Sequence, residues 1–160
     1  MTEITIAEES PRQDEVIAFI RELDAYHIRL YPAEANHLMD IDGLCVPEIR
    51  FFVARRAHEA LGIGALWVKA AGNYGEIKRM YVRPDTRGLG VGVKLLGVIE
   101  RRAQAERLDA LMLETGTLNT EALGLYRRAG FHTRGPFGDY HDHPLCVFME
   151  KRLGEWGAIA

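Results

Sequence analysis

Cysteine is scarce in this chain, which has only Cys45 and Cys146, far apart and without paired spacing. That excludes a disulfide framework and a zinc ribbon and leaves two reduced, structural thiols. Charge of one sign is also missing, because 20 basic residues face 23 acidic ones for a formal net charge of -3. Such a balance lacks the basic footprint that wraps nucleic acid or lies on an anionic membrane. No apolar run approaches the roughly 18 residues of a membrane span. The start, Met1-Thr2-Glu3-Ile4, has neither the basic residues nor the apolar core of an export signal. A cytoplasmic protein without a nucleic-acid or membrane partner is expected. Internal repeats and low-complexity segments are lacking as well.

What is present is enough apolar content, 48% of 160 residues, for one well-cored domain. It is expected over residues 1–153, with a short loose tail at 154–160. Thr2 to Ala7 alternates as a half-buried strand does. Ser10 as cap and Pro11 as first helical residue then open an amphipathic helix carrying Val16, Ile17, Ile20, Leu23 and His27 on one face. A short helical turn and a loop follow over Asn36 to Gly43. Three strands joined by short turns, near 49–55, 61–70 and 76–82, predict an antiparallel meander, with Gly62 and Gly64 as bulge positions. A helix from about Gly90 to Arg107 and a strand at 109–115 complete a strand–helix–strand crossover, which pairs its two strands in parallel. A short helix over 117–129, a strand at 131–134, a loop and a last strand at 145–151 close the chain.

Between the third strand and the long helix lies Arg87-Gly88-Leu89-Gly90-Val91-Gly92. Glycines at alternate positions let the backbone approach a ligand, and the helix start behind them supplies free amide donors and a positive dipole end. This is the outline of an anion cradle. Two nucleotide signatures fail here. The dinucleotide fingerprint needs a glycine at position 93, which is Val93, and the P-loop needs Gly-Lys-Ser/Thr where the chain has Gly92-Val93-Lys94. His141-Asp142-His143 suggests a metal, but neighbouring loop residues without a third ligand at helical spacing are weak evidence, and no metal is expected.

The turn resembles the acetyl-coenzyme A signature of the GNAT superfamily of N-acetyltransferases, Arg/Gln-x-x-Gly-x-Gly/Ala. Met80-Tyr81-Val82 before it, and Asn119-x-x-Ala122-x-x-Leu125-Tyr126-x-x-x-Gly130-Phe131 after it, match the family's flanking segments. The resemblance implies a mixed α/β fold: a mostly antiparallel sheet, a parallel crossover pair splayed around the coenzyme, and helices on both faces. It implies that Met80, Tyr81 and Val82 offer backbone groups to the pantetheine arm, and that Arg87, Gly88, Leu89, Gly90, Val91 and Gly92 hold the pyrophosphate. Asn119 matches a coenzyme-contacting position, although by type it also suits a helix cap. Tyr126 matches the family's tyrosine that protonates the departing coenzyme A thiolate, against the plainer reading of a packed aromatic.

The implied reaction moves acetyl from acetyl-CoA to a primary amine by direct attack in a ternary complex. Glu76, four residues before Met80, is the candidate base, directly or through water. Period two places Glu76, Lys78, Met80 and Val82 on one face, so a Lys78 partner would weaken that base. The acceptor, a small molecule or a peptide amine, is expected between Tyr26–Asp42 and Gly138–Pro144, with Tyr31, Glu34, His37, Asp40 and Tyr140 as candidate contacts. Competing readings are a catalytically silent acyl-CoA sensor or interaction module, and a transferase using another acyl-CoA. A homodimer is the expectation from the commonness of twofold oligomers.

Overall fold

The computed structural model describes residues 3–154, and Thr2 and most of the expected tail lie outside the described residues. Its elements run β1 (Ile4–Glu8), α1 (Asp14–Leu30), α2 (Ile41–Leu44), β2 (Ile49–Arg56), β3 (Glu59–Lys69) and β4 (Tyr74–Val82). They continue with α3 (Val91–Ala105), β5 (Ala110–Gly116), α4 (Thr120–Arg128), β6 (His132–Arg134) and β7 (Cys146–Arg152). The seven strands form one sheet in the order β1-β2-β3-β4-β5-β7-β6. Every neighbouring pair is antiparallel except β4 and β5, which α3 joins as the parallel crossover. The mixed α/β architecture and the meander expected from the sequence are therefore present.

Two apolar layers sandwich the sheet. On one face Leu95, Leu96, Ile99 and Ala103 of α3 meet Leu61, Leu66, Ile77, Leu111 and Leu113. Val16, Phe19 and Ile20 of α1 meet Phe51, Val53, Ile63 and Ala65 on the other. The residue types explain the layers, because β-branched and aromatic strand residues alternate between faces while each helix shows a single apolar stripe.

Three local expectations are corrected. Helix α1 begins at Asp14 rather than at Pro11, because the Ser10 hydroxyl accepts from the Arg12 amide at 3.1 Å and Gln13 donates back to Pro11, closing a separate turn ahead of the helix. It also runs on to Leu30 and stops where Tyr31 turns extended before Pro32, as a residue preceding proline must. In the next segment the order is reversed. Residues 36–40 are irregular and the helical turn comes after them as α2, which Asp40 caps by accepting from the Gly43 amide at 2.8 Å.

The third correction concerns which way β4 faces. Opposite Gly64 the register between β3 and β4 slips by one residue, and Arg79 takes a left-handed φ of 57°. This is a bulge, and one extra residue reverses the side-chain alternation beyond it. Glu76 and Lys78 face the α1 side, whereas Met80 and Val82 pack into the α3 layer. The four do not share a face.

Candidate active site

The parallel pair is short. β4 and β5 are in register only from Tyr74–Ala110 to Glu76–Met112, and then the strands part. Between them opens a cleft of about 1280 Å³ whose walls include Met80, Tyr81, Val82, Glu114, Gly116, Asn119 and Tyr126. Pairing ends at Glu76–Met112, and the bulge at Arg79 lies three residues further along β4. A separate pocket beside it, about 400 Å³, is lined by His37, Leu38, Met39, Asp40, Trp67 and Lys78.

At one end of the cleft lies the glycine turn. Gly88 and Gly90 have φ of 91° and 77°, the left-handed region that only glycine enters cheaply, and a Cβ on either would meet no atom within 4 Å. Space above the turn is open. Gly90 provides no capping side chain for α3, so the amides of Val91, Gly92 and Val93 lack intrahelical acceptors and face outward as donors. Arg87, Gly88, Gly90, Val91 and Gly92 line the cleft, while Leu89 does not. The exposed Arg87 guanidinium pairs with Glu121 at 2.7 Å, a contact open to exchange with another anion. The geometry thus fits a diphosphate.

Tyr126 is buried in α4 beside Phe131, and its ring also lines the cleft. Among the described residues its hydroxyl has no hydrogen-bond partner, and burial pushes its pKa up, so the proton stays on at neutral pH. Asn119 occupies the N-cap position of α4 without making a cap bond. Its side chain donates instead to the Thr115 hydroxyl at 3.2 Å and accepts from the Tyr31 hydroxyl at 3.1 Å. Tyr31 in turn accepts from the Leu118 amide at 3.0 Å, and its ring lies so close to Gly116 that a Cβ there would stand 2.0 Å away. The close of α1 is thereby locked onto the turn that leads into α4.

The residues expected at the acceptor side divide. Tyr31 and His37 line the cleft, and Asp40 lines the smaller pocket. Glu34 is exposed on a turn and lines neither. Tyr140 lies behind the wall in an aromatic cluster, 4.9 Å from the His37 ring and 5.5 Å from Phe148 between centroids. It donates to Glu76 at 2.5 Å and accepts from Lys78 at 2.9 Å. Glu76 is 2% exposed, lies 3.4 Å from Lys78, and is not among the cleft-lining residues. Its carboxylate is committed to Tyr140 and Lys78.

A second carboxylate takes the position beside the cleft. Glu114, on the sheet face that Met112 and Gly116 share, reaches the cleft just beyond the point where pairing with β4 ends. Burial pushes its pKa up from 4.5 to about 7, against a smaller opposing pull from the Cys146 thiol and Lys78. The Cys146 thiol itself is pushed up to about 12 by burial and by Glu114. His37 is lowered by burial and by Lys78, so its ring is neutral at neutral pH. Sequence reasoning missed Glu114 and Cys146. One signal for the first was available, an acidic residue directly after the apolar run Leu111-Met112-Leu113 of the strand that ends the crossover.

With this geometry in place, comparison with known proteins is direct. The sequence profile of the Acetyltransferase (GNAT) family matches residues 11–131. An IAA acetyltransferase of Azospirillum brasilense is 52% identical over 153 residues, which are 96% of this chain and 100% of that protein. The uncharacterized N-acetyltransferase YsnE of Bacillus subtilis is 36% identical over 76% of this chain and 82% of its own length. Among solved structures, a Klebsiella pneumoniae protein assigned as an acyl-CoA N-acyltransferase superposes with a TM-score of 0.81 at 36% identity, covering 94% of this chain and 98% of that one. The chain belongs to the GNAT family and is an N-acetyltransferase of the class that moves acetyl from acetyl-CoA to an amine.

Proposed function

We propose that acetyl-CoA lies along the splay between β4 and β5, that Glu114 takes the proton from the acceptor amine, and that Tyr126 returns one to the departing thiolate. The observation that carries this reading is the content of the cleft: an open glycine cradle, a carboxyl poised near neutrality and a phenol with no hydrogen-bond partner among the described residues. The cradle amides and Arg87 hold the diphosphate, and the backbone of Met80, Tyr81 and Val82 runs beside the pantetheine arm. Bound acetyl-CoA supplies an activated thioester. An ammonium with an ordinary pKa near 10.4 must lose a proton before it attacks, and a carboxylate whose pKa lies near the working pH is matched to that task. Glu76 is assigned a positioning role, holding Tyr140 and Lys78 in the wall behind His37. Neither cysteine carries the acetyl group, since the Cys146 thiol is held protonated and the exposed Cys45 does not line the cleft.

Both cysteines are unpaired, in keeping with a cytoplasmic location. Isothermal titration with acetyl-CoA tests the donor site, and absence of binding at millimolar ligand would overturn it. Release of the coenzyme A thiol over a panel of amines, with IAA run beside them because the Azospirillum brasilense relative is named for it, tests the reaction. Tight acetyl-CoA binding with no acceptor turned over would favour a silent binding module instead.

A further inference from the structure

Three side chains from separate parts of the chain converge on the acceptor side of the cleft. Cys146 opens β7 directly opposite Gly116, two residues along β5 from Glu114, so both point to the same sheet face. His37 comes down onto them from the irregular segment before α2, its Nε2 4.0 Å from the Cys146 Sγ. One thiol, one carboxylate oxygen and one imidazole nitrogen all lie within 4.8 Å of one another. We propose that His37, Glu114 and Cys146 form a binding site for a borderline-soft divalent cation of the Zn²⁺ type, and that the ion blocks acetyl transfer by occupying Glu114.

The donor set argues for this class of ion. Sulfur, imidazole and carboxylate together are the ligands of tetrahedral zinc, at about 2.0–2.3 Å from the metal, which places ligand atoms roughly 3.3–3.8 Å apart. The sulfur–nitrogen separation is nearly there already, and side-chain rotation closes the remainder. Three protein ligands leave a fourth position, and because His37 and Glu114 line the cleft while Cys146 lies behind them, that position faces the cavity. None of the three is strongly engaged elsewhere. The sulfur contacts to His37 and to the Ala35 carbonyl are both 4.0 Å, and among the described residues the Glu114 carboxyl has no hydrogen-bonding neighbour except that thiol. Binding would displace the thiol proton to solvent, as coordinated thiols require. The blocking role rests on Glu114 being the base. The site itself does not.

A spectroscopic titration separates the two. Full-length protein treated with EDTA is titrated with Co²⁺, and one equivalent is expected to produce a thiolate-to-cobalt charge-transfer band that Zn²⁺ then abolishes. Cys146→Ser should remove the band, Cys45→Ser should leave it, and His37→Ala should weaken Co²⁺ binding by more than the roughly 10–100-fold that loss of an outer partner costs. Absence of the band, or its survival in Cys146→Ser protein with unchanged circular dichroism, overturns the site. Zn²⁺ should also suppress acetyl transfer reversibly to EDTA. A site that forms while transfer continues undiminished overturns the blocking role alone.

Discussion

Replacing Glu114 by Gln should make the enzyme slower and, above neutral pH, more stable. In the folded protein the carboxyl titrates at about 7 rather than 4.5, because burial disfavours its charge. Below 4.5 both folded and unfolded chains carry the proton and Glu114 costs nothing. As pH rises toward 7 the unfolded chain releases the proton while the folded one keeps it, so stability falls. Above 7 the folded protein bears the whole penalty, on the order of 3 kcal/mol at about 1.4 kcal/mol for each tenfold step in the proton equilibrium. Gln has nearly the same shape and no charge to desolvate, so it should recover part of that penalty, perceptible as an unfolding midpoint higher than wild type at about pH 9, with the gap shrinking to within about 1 kcal/mol at about pH 5. Denaturant titration of EDTA-treated protein at the two pH values measures the difference, and coenzyme A release measures turnover. General-base loss typically costs about 10²–10⁴-fold. Parallel stability curves for wild type and variant would refute the burial argument. Wild-type turnover in the variant would refute the assignment of the base.

Other expectations follow from the same geometry. Tyr126→Phe should lower kcat by about 10²–10⁴-fold while leaving acetyl-CoA affinity within a few-fold, read by stopped assay and calorimetry, since among the described residues the hydroxyl has no partner whose loss would disturb the fold. Gly90→Ala places a side chain at φ 77°, costing about 1–2 kcal/mol, and thermal unfolding together with a weaker acetyl-CoA titration should report it. Gly116→Ala would drive a methyl group into the Tyr31 ring, and an overpacking cost of about 1–3 kcal/mol should appear as a lower Tm and a raised KM for acetyl-CoA.

Much of the fold was legible because its signals are local. Alternation marked the strands of the meander, the apolar stripe of Leu95, Leu96, Ile99 and Ala103 marked α3, and the crossover order required the parallel pair. The helix starts were harder, since Ser10 has the chemistry of a cap but uses its hydroxyl on Arg12. At the site the glycine turn declared itself, because left-handed backbone at Gly88 and Gly90 limits the residue type. Glu114 did not. Its importance arises only where β5 separates from β4, and that separation depends on pairing between residues far apart in the sequence.

The bulge at Arg79 connects these two outcomes. A regular β4 would have carried Glu76, Lys78, Met80 and Val82 on one side. The extra residue turns Met80 and Val82 toward α3 and leaves Glu76 and Lys78 on the opposite face, where Tyr140 engages both. A non-glycine residue at φ 57° gives no sign of itself in the sequence beyond Gly64 on the facing strand. Glu76 stays out of the cleft because it lies within the stretch where β4 and β5 are still paired, whereas Glu114, two residues beyond the last paired position and on the same side of the sheet, reaches it. The bulge therefore sets which side chains β4 shows to each apolar layer, and the parting of β4 from β5 sets which carboxyl reaches the cleft.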